Sequence, residues 1–160
     1  MNAVVFIPLT RGQVAVVDFV DFERVRGIRW HAFKRKRSWY AASSVWVPGA
    51  GQHRALMHRK ILGAAREVDH RDGDGLNNTR ENLRACSHSE NCANVRAHKD
   101  GSSSFKGVGW CKGRNCWQAQ IQVRGHKKHL GRFKSEREAA LAYDAAARRF
   151  FGAFARVSFP

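Results

Sequence analysis

The chain has 160 residues, 43% of them hydrophobic, which is enough for one ordinary core or two small ones. Its 29 Lys and Arg against 13 Asp and Glu give a formal net charge of +16, which calls for a polyanionic partner. The absence of a long apolar run, with basic residues spread over both halves, excludes a membrane-spanning segment and favours nucleic acid over an anionic lipid surface.

Met1 to Leu9 is apolar but lacks a basic start and a cleavage site, so no secretory leader is expected and the cytoplasm is the expected compartment. Cys86, Cys92, Cys111 and Cys116 suit reduced thiols better than a disulfide framework. Their spacings also lack the two-residue gap of zinc knuckles, so zinc is not expected.

In chain order, residues 4–60 read as short strands around one short helix. Alternating or β-branched runs at Val14–Val17, Trp39–Val47 and Ala55–His58 are separated by turns at Thr10-Arg11-Gly12 and Pro48-Gly49-Ala50-Gly51. The cluster Lys34-Arg35-Lys36-Arg37 lies between Trp30 and Trp39. It reads either as a solvated hairpin tip or as a phosphate-contacting loop.

The stretch from Val68 to Val95 is the most informative. A strand ends in Asp69-His70, a loop rich in Asp, Gly and Asn comes next, and Leu83-Arg84-Ala85-Cys86 forms a second strand. Ser87 and Glu90 then make a capping box that opens a helix and places Asn91 in its first turns. Such a frame can bring Asp69, His70 and Asn91 together. Phosphodiester cleavage needs a cation to neutralise the developing charge and a base to activate water. Asp69 and Asn91 offer hard oxygens suited to Mg²⁺ (or Mn²⁺), and His70 has the right intrinsic pKa for the base. With both ligands expected near solvent and DNA, replacing either should leave the fold intact.

The calcium-loop spacing of Asp72, Asp74, Gly75 and Glu81 fails at its first position, which is His70 rather than Asp. Asp72 and Asp74 are therefore read as turn formers.

This stretch resembles the HNH, or ββα-metal, nuclease motif, in the form found in phage and intron homing endonucleases where Asn replaces the final His. The resemblance implies that His70 is the general base and that Asn82 ties the hairpin loop and orients it. It also implies that Asp69 and Asn91 hold the metal. His58, in Met57-His58-Arg59, is read as structural. One module offers one metal site, so a monomer that nicks duplex DNA is expected.

Arg96–Ser104 is polar and rich in Gly and Ser, and reads as a linker. It separates residues 1–95 from residues 105–160. The first 104 residues hold 17 basic and 10 acidic side chains; the last 56 hold 12 and 3. Three strands are expected at Phe105–Lys112, Cys116–Arg124 and Lys127–Lys134, with turns at Gly113-Arg114-Asn115 and Gly125-His126. A second capping box, Ser135 with Glu138, opens a helix whose stripe is Ala139, Tyr143, Ala146, Ala147 and Phe150. Ala119, Ile121 and Val123 then face the helix, and Gln118, Gln120, Gln122 and Arg124 face away. The expected fold is α+β, with a β-rich first part and then a three-stranded antiparallel sheet packed on one helix.

No Asp or Glu occurs on those three strands, and a Gln- and Arg-bearing face suits a DNA groove. Lys106, Lys112, Arg114, Gln120, Gln122, Arg124, Lys127 and His129 are the candidate DNA-binding residues. Phe105-Lys106-Gly107-Val108, Leu130-Gly131-Arg132-Phe133, the run Glu138 to Ala146 and Phe159-Pro160 resemble the APETALA2-type DNA-binding domain. Plant members carry base-reading Arg and Trp where this chain has Lys106, Gly109, Gln122, Lys127 and His129, so the resemblance implies the fold and not the target sequence. Taken together, these readings imply a double-stranded-DNA endonuclease. The alternative is a DNA-binding regulator that keeps a decayed nuclease module.

Overall fold

A computed structural model describes residues 3–35, 38–63, 67–97 and 101–159, and its contacts divide the chain into two units, Met1–Cys86 and Ser87–Pro160. Strands and helices are both well represented, as an α+β chain requires. No helix among the described residues is long and apolar enough to cross a membrane.

In the first unit, β1 (Val4–Pro8) and β2 (Val14–Asp18) pair antiparallel through a turn in which Arg11 and Gly12 take positive φ. Alternation along β2 sends Ala15 and Val17 into the core. Helix α1 (Phe19–Val25) comes next, and Trp30 Nε1 donates to the Val25 carbonyl at 2.9 Å, satisfying the end of that helix from within the core. Strands β3 (His31–Arg35), β4 (Ser38–Val47) and β5 (Gly51–Leu56) form an antiparallel meander. Lys36 and Arg37 of the basic cluster lie outside the described residues.

The strand expected at Ala55–His58 ends at Leu56. Met57 begins helix α2 (Met57–Leu62), because Met57 and Ile61, four residues apart, both bury fully on one helical face. The region thus holds two short helices, where the sequence pattern shows one. Strands β6 (Glu67–His70) and β8 (Leu83–Cys86) pair antiparallel, and between them β7 (Asn77–Asn78) pairs parallel with β2.

The second unit opens with α3 (His88–Asn94), whose capping box is formed by Ser87 and Glu90. The linker expected at Arg96–Ser104 would group this helix with residues 1–95, whereas its contacts place it in the C-terminal unit. Ala93 packs with Ile121, Tyr143, Ala147 and Phe151, and its carbonyl accepts from Arg156 N. Strands β9 (Val108–Cys111), β10 (Cys116–Val123) and β11 (His126–Phe133) form an antiparallel sheet, with α4 (Glu136–Phe151) on one face and a capping box at Ser135. Residues 98–100 of the expected linker lie outside the described residues.

Two details differ from the pattern. Helix α4 buries Phe151 rather than Phe150, since steps of four from Tyr143 through Ala147 reach 151. The β10–β11 turn is Arg124-Gly125, both with positive φ, so Arg124 sits on the turn instead of the strand face. Gly107 is required by close approach as well as by its φ of +71°, because a Cβ there would overlap the Tyr143 ring and the Gln120 carbonyl. Asp144 is fully buried and accepts from the Ser158 and Phe159 amides, which ties down the C-terminal residues.

Candidate active site

The β6–β8 hairpin places His70 at the end of β6, opposite Leu83. Its ring is buried against two others: His58 from α2, with centroids 4.9 Å apart and planes at 90°, and Tyr40 from β4, at 5.9 Å. Tyr40 also meets His58 edge-on at 5.8 Å. Gly75 in the loop completes this cage, since any Cβ there would strike Tyr40 and the Trp39 carbonyl. Burial lowers the His70 pKa, against opposing pulls from Asn78 and the nearby Asp72, Asp69 and Asp74. The imidazole is thereby held neutral, which is the form that accepts a proton.

Asn82 ties the loop together. Its Oδ1 accepts from Asp72 N at 3.0 Å, its Nδ2 donates to Asp72 Oδ1 and to the Asn77 carbonyl, and its own carbonyl accepts from Arg71 N. These bonds hold the chain directly after His70. Asp72 and Asp74 accept bonds from nearby loop amides, the turn-forming work expected of them. Arg80 then clamps the loop to α1. Its guanidinium donates twice to the buried Asp21 at 2.6 and 2.7 Å, and its amide donates to Asp18.

Asp69 requires a correction. Expected near solvent, it is only 4% exposed, and Oδ2 accepts from both Nε and Nη2 of Arg84 at 2.7 Å. The pair forms because the register sets Asp69 directly opposite Arg84 on β8. Asp69 is thus structural as well as a candidate ligand. Among the described residues no three His, Cys, Asp or Glu gather into a cation site. Of the two expected ligands, Asp69 is the one carboxylate that could hold a Mg²⁺ keeping most of its waters. Asn91 lies in the first turn of α3, half-buried, within the second unit.

In the second unit, the register gathers Gln120 with His129 and Gln122 with Lys127 on the sheet face away from α4. All four are exposed, as are Lys112 and Arg114 in the β9–β10 loop and Arg124 in the β10–β11 turn. Lys106 departs from the expected DNA-binding set. Its Nζ donates to the Cys92 and Ala93 carbonyls at 2.8 and 2.6 Å, closing the C-terminal end of α3, and burial pushes its pKa down to about 8.

Residues 64–93, which hold this hairpin, match the family model for HNH endonucleases. Protein 3.8 of Escherichia phage T7 is 34% identical over 89 residues, covering 56% of this chain and 73% of the phage protein. The chain belongs to the family of that phage protein. An uncharacterized HNH endonuclease of Acanthamoeba polyphaga mimivirus is 30% identical over 128 residues, 75% of this chain and 66% of its own length. The dehydration-responsive element-binding protein 2D of Arabidopsis thaliana is 37% identical over 92 residues, 54% of this chain. This chain spans only 42% of that plant protein. No solved structure matches. The HNH domain makes the protein nuclease-like, with nucleic acid as the implied substrate class.

The partnership of Tyr40 and Arg84 with the motif is not visible in the sequence, whereas Met57-His58-Arg59 already resembles the segment that precedes the motif in this family, with His58 read as structural. Only Arg84 carries a local signal, being placed opposite Asp69 by the hairpin itself. Burial lowers the His58 pKa to about 3, with smaller contributions from His70 and Arg59, and Tyr40 meets its ring edge-on. A folded-state pKa below the unfolded value means that the stability from neutral His58 is complete above about pH 6.5 and is lost as the pH falls toward 3. Denaturant melts from pH 7 to 4.5 should lose up to about 1.4 kcal/mol per pH unit for this one group. His58→Phe, which keeps a ring but cannot titrate, should flatten that slope; an unchanged slope would exclude His58 as its source.

Proposed function

We propose that the protein is a metal-dependent DNA endonuclease of the homing type, which binds duplex DNA and hydrolyses one phosphodiester bond beside His70. The observation that carries this reading is His70, caged by Tyr40 and His58 at the end of β6, within the segment that matches HNH endonucleases. His70 accepts the proton of the attacking water. Asn82 holds the loop behind it, so that the ring keeps one orientation through the reaction. Asp69 offers an anionic oxygen on the adjacent residue, and Asn91 enters the ligand set through the motif spacing. A bound Mg²⁺ or Mn²⁺ would neutralise charge on the scissile phosphate and the leaving oxygen. With one such centre, a monomer makes a nick.

Residues 105–160 are read as an APETALA2-like module that docks on the duplex. Gln120, Gln122, Lys127 and His129 would face the groove, with Lys112, Arg114 and Arg124 on phosphates. The likeness to a plant element-binding protein also favours a second reading, a DNA-binding regulator without cleavage. Supercoiled plasmid separates the two. Conversion to the open circle with Mg²⁺ and its arrest by EDTA are expected; tight binding with no nicking under Mg²⁺ or Mn²⁺ would establish the regulator.

A further inference from the structure

Between Glu23 and Glu67 the chain contains no Asp or Glu and eleven Lys or Arg, and the whole β3–β4–β5 sheet lies inside that stretch. The pairing divides its side chains into two faces. Phe33 pairs directly with Tyr40, and alternation along β4 puts Ser44 and Trp46 on the same face as Tyr40. Ser44 pairs with Arg54, and Trp46 with Gln52. The face that touches His70 through Tyr40 therefore continues outward through Phe33 and Arg54 to Trp46, near the tip of the hairpin.

Two features on that face are unusual for an idle surface. Trp46 is 75% exposed, the most exposed large apolar side chain described. The Arg54 guanidinium carbon sits 3.8 Å from the centre of the Phe33 ring, reaching across the middle strand, and among the described residues it has no carboxylate partner. A guanidinium stacked on a ring gives up little further freedom when it meets a phosphate. An exposed indole beside such a cation is suited to the sugars lining a groove. An acidic protein would match the charge, but the register ties this face to the ring cage around His70, where the nuclease reading places the nucleic acid.

We propose that the outer face of β4–β5 is a second duplex-DNA contact surface leading away from the His70 cage, with Arg54 on a backbone phosphate and Trp46 in a groove. This rests on reading the HNH domain as a DNA endonuclease, and it assigns DNA binding to the first unit as well as to the sheet of the second. The β4–β5 ribbon would hold the duplex close to the cut, independently of residues 105–160.

The test uses the full-length protein with EDTA, so that binding is read without cutting, by anisotropy of a labelled duplex over a salt series. Trp46→Ala should weaken binding about tenfold, with the salt slope unchanged because no charge is lost. Trp46→Phe should recover part of that loss. Arg54→Gln should make the log–log slope shallower by about one unit. Both residues are exposed, so thermal unfolding should stay near wild type and show that each variant is folded. Folded Trp46→Ala and Arg54→Gln variants that bind duplex DNA with wild-type affinity and slope would overturn the proposal. So would a loss seen only with duplex RNA. If the wild type fails to nick under any divalent ion while these variants still lose affinity, the nuclease reading falls and this surface stands. Normal nicking with unaffected binding in the variants removes the surface alone.

Discussion

Replacing His70 by alanine should lower single-turnover nicking by about 10²- to 10⁴-fold, the range a positioned general base contributes. Duplex binding should survive, because the exposed face carrying Gln120, Gln122, Lys127 and His129 is untouched. Removing the ring also empties one side of the Tyr40–His58 cage, so some loss of stability is expected alongside. His70→Gln, which keeps volume and a polar end but cannot serve as a base near neutral pH, separates the two effects. It should melt closer to wild type and still fail to nick. A glutamine variant that nicks at the wild-type rate would remove His70 as the base.

Asp69→Ala should abolish nicking and, unlike most ligand-site changes, also destabilise the fold. The Arg84 side chain is only 14% exposed, and the substitution leaves its guanidinium facing β6 without the Asp69 carboxylate. Breaking a buried pair by removing one partner costs about 3 kcal/mol or more. Asp69→Asn should restore much of the stability by accepting a bond from Arg84, yet nick far more slowly, since a neutral amide holds Mg²⁺ poorly. Melting temperatures and nicking rates for the two variants together check this. Wild-type nicking by Asp69→Asn would show that the carboxylate is not a required ligand, and wild-type melting by Asp69→Ala would show that the Arg84 pair carries no stability.

The motif is legible in the sequence because each part of it is local. Asp69 and His70 end a short strand, Asn82 lies in the return loop, and Ser87 with Glu90 caps the next helix through bonds spanning three residues. The second sheet and α4 are legible for the same reason: Ala119 and Ile121 alternate along β10, and Ala139, Tyr143 and Ala147 recur at helical spacing. Sequence by itself therefore determined the chain's polyanion-binding charge, the α+β class, the β6–β8 hairpin with its loop residues, and the two capped helices. Period and capping need no knowledge of distant residues.

Other assignments depend on parts of the chain far from the residue concerned. The fate of Met57-His58 turns on whether Met57 and Ile61 can bury together, and that makes a helix where β propensity suggests a strand. Lys106 looks like one more basic residue until its Nζ is placed on the carbonyls of Cys92 and Ala93, more than ten residues earlier. Tyr40 lies thirty residues before His70, on a different sheet, and meets it only in the folded chain. The tertiary structure alone decided what surrounds His70, that Asp69 is buried in an ion pair, and that Arg54 lies on the face of Tyr40. Burial and long-range pairing are properties of the folded chain, and no local spacing encodes them.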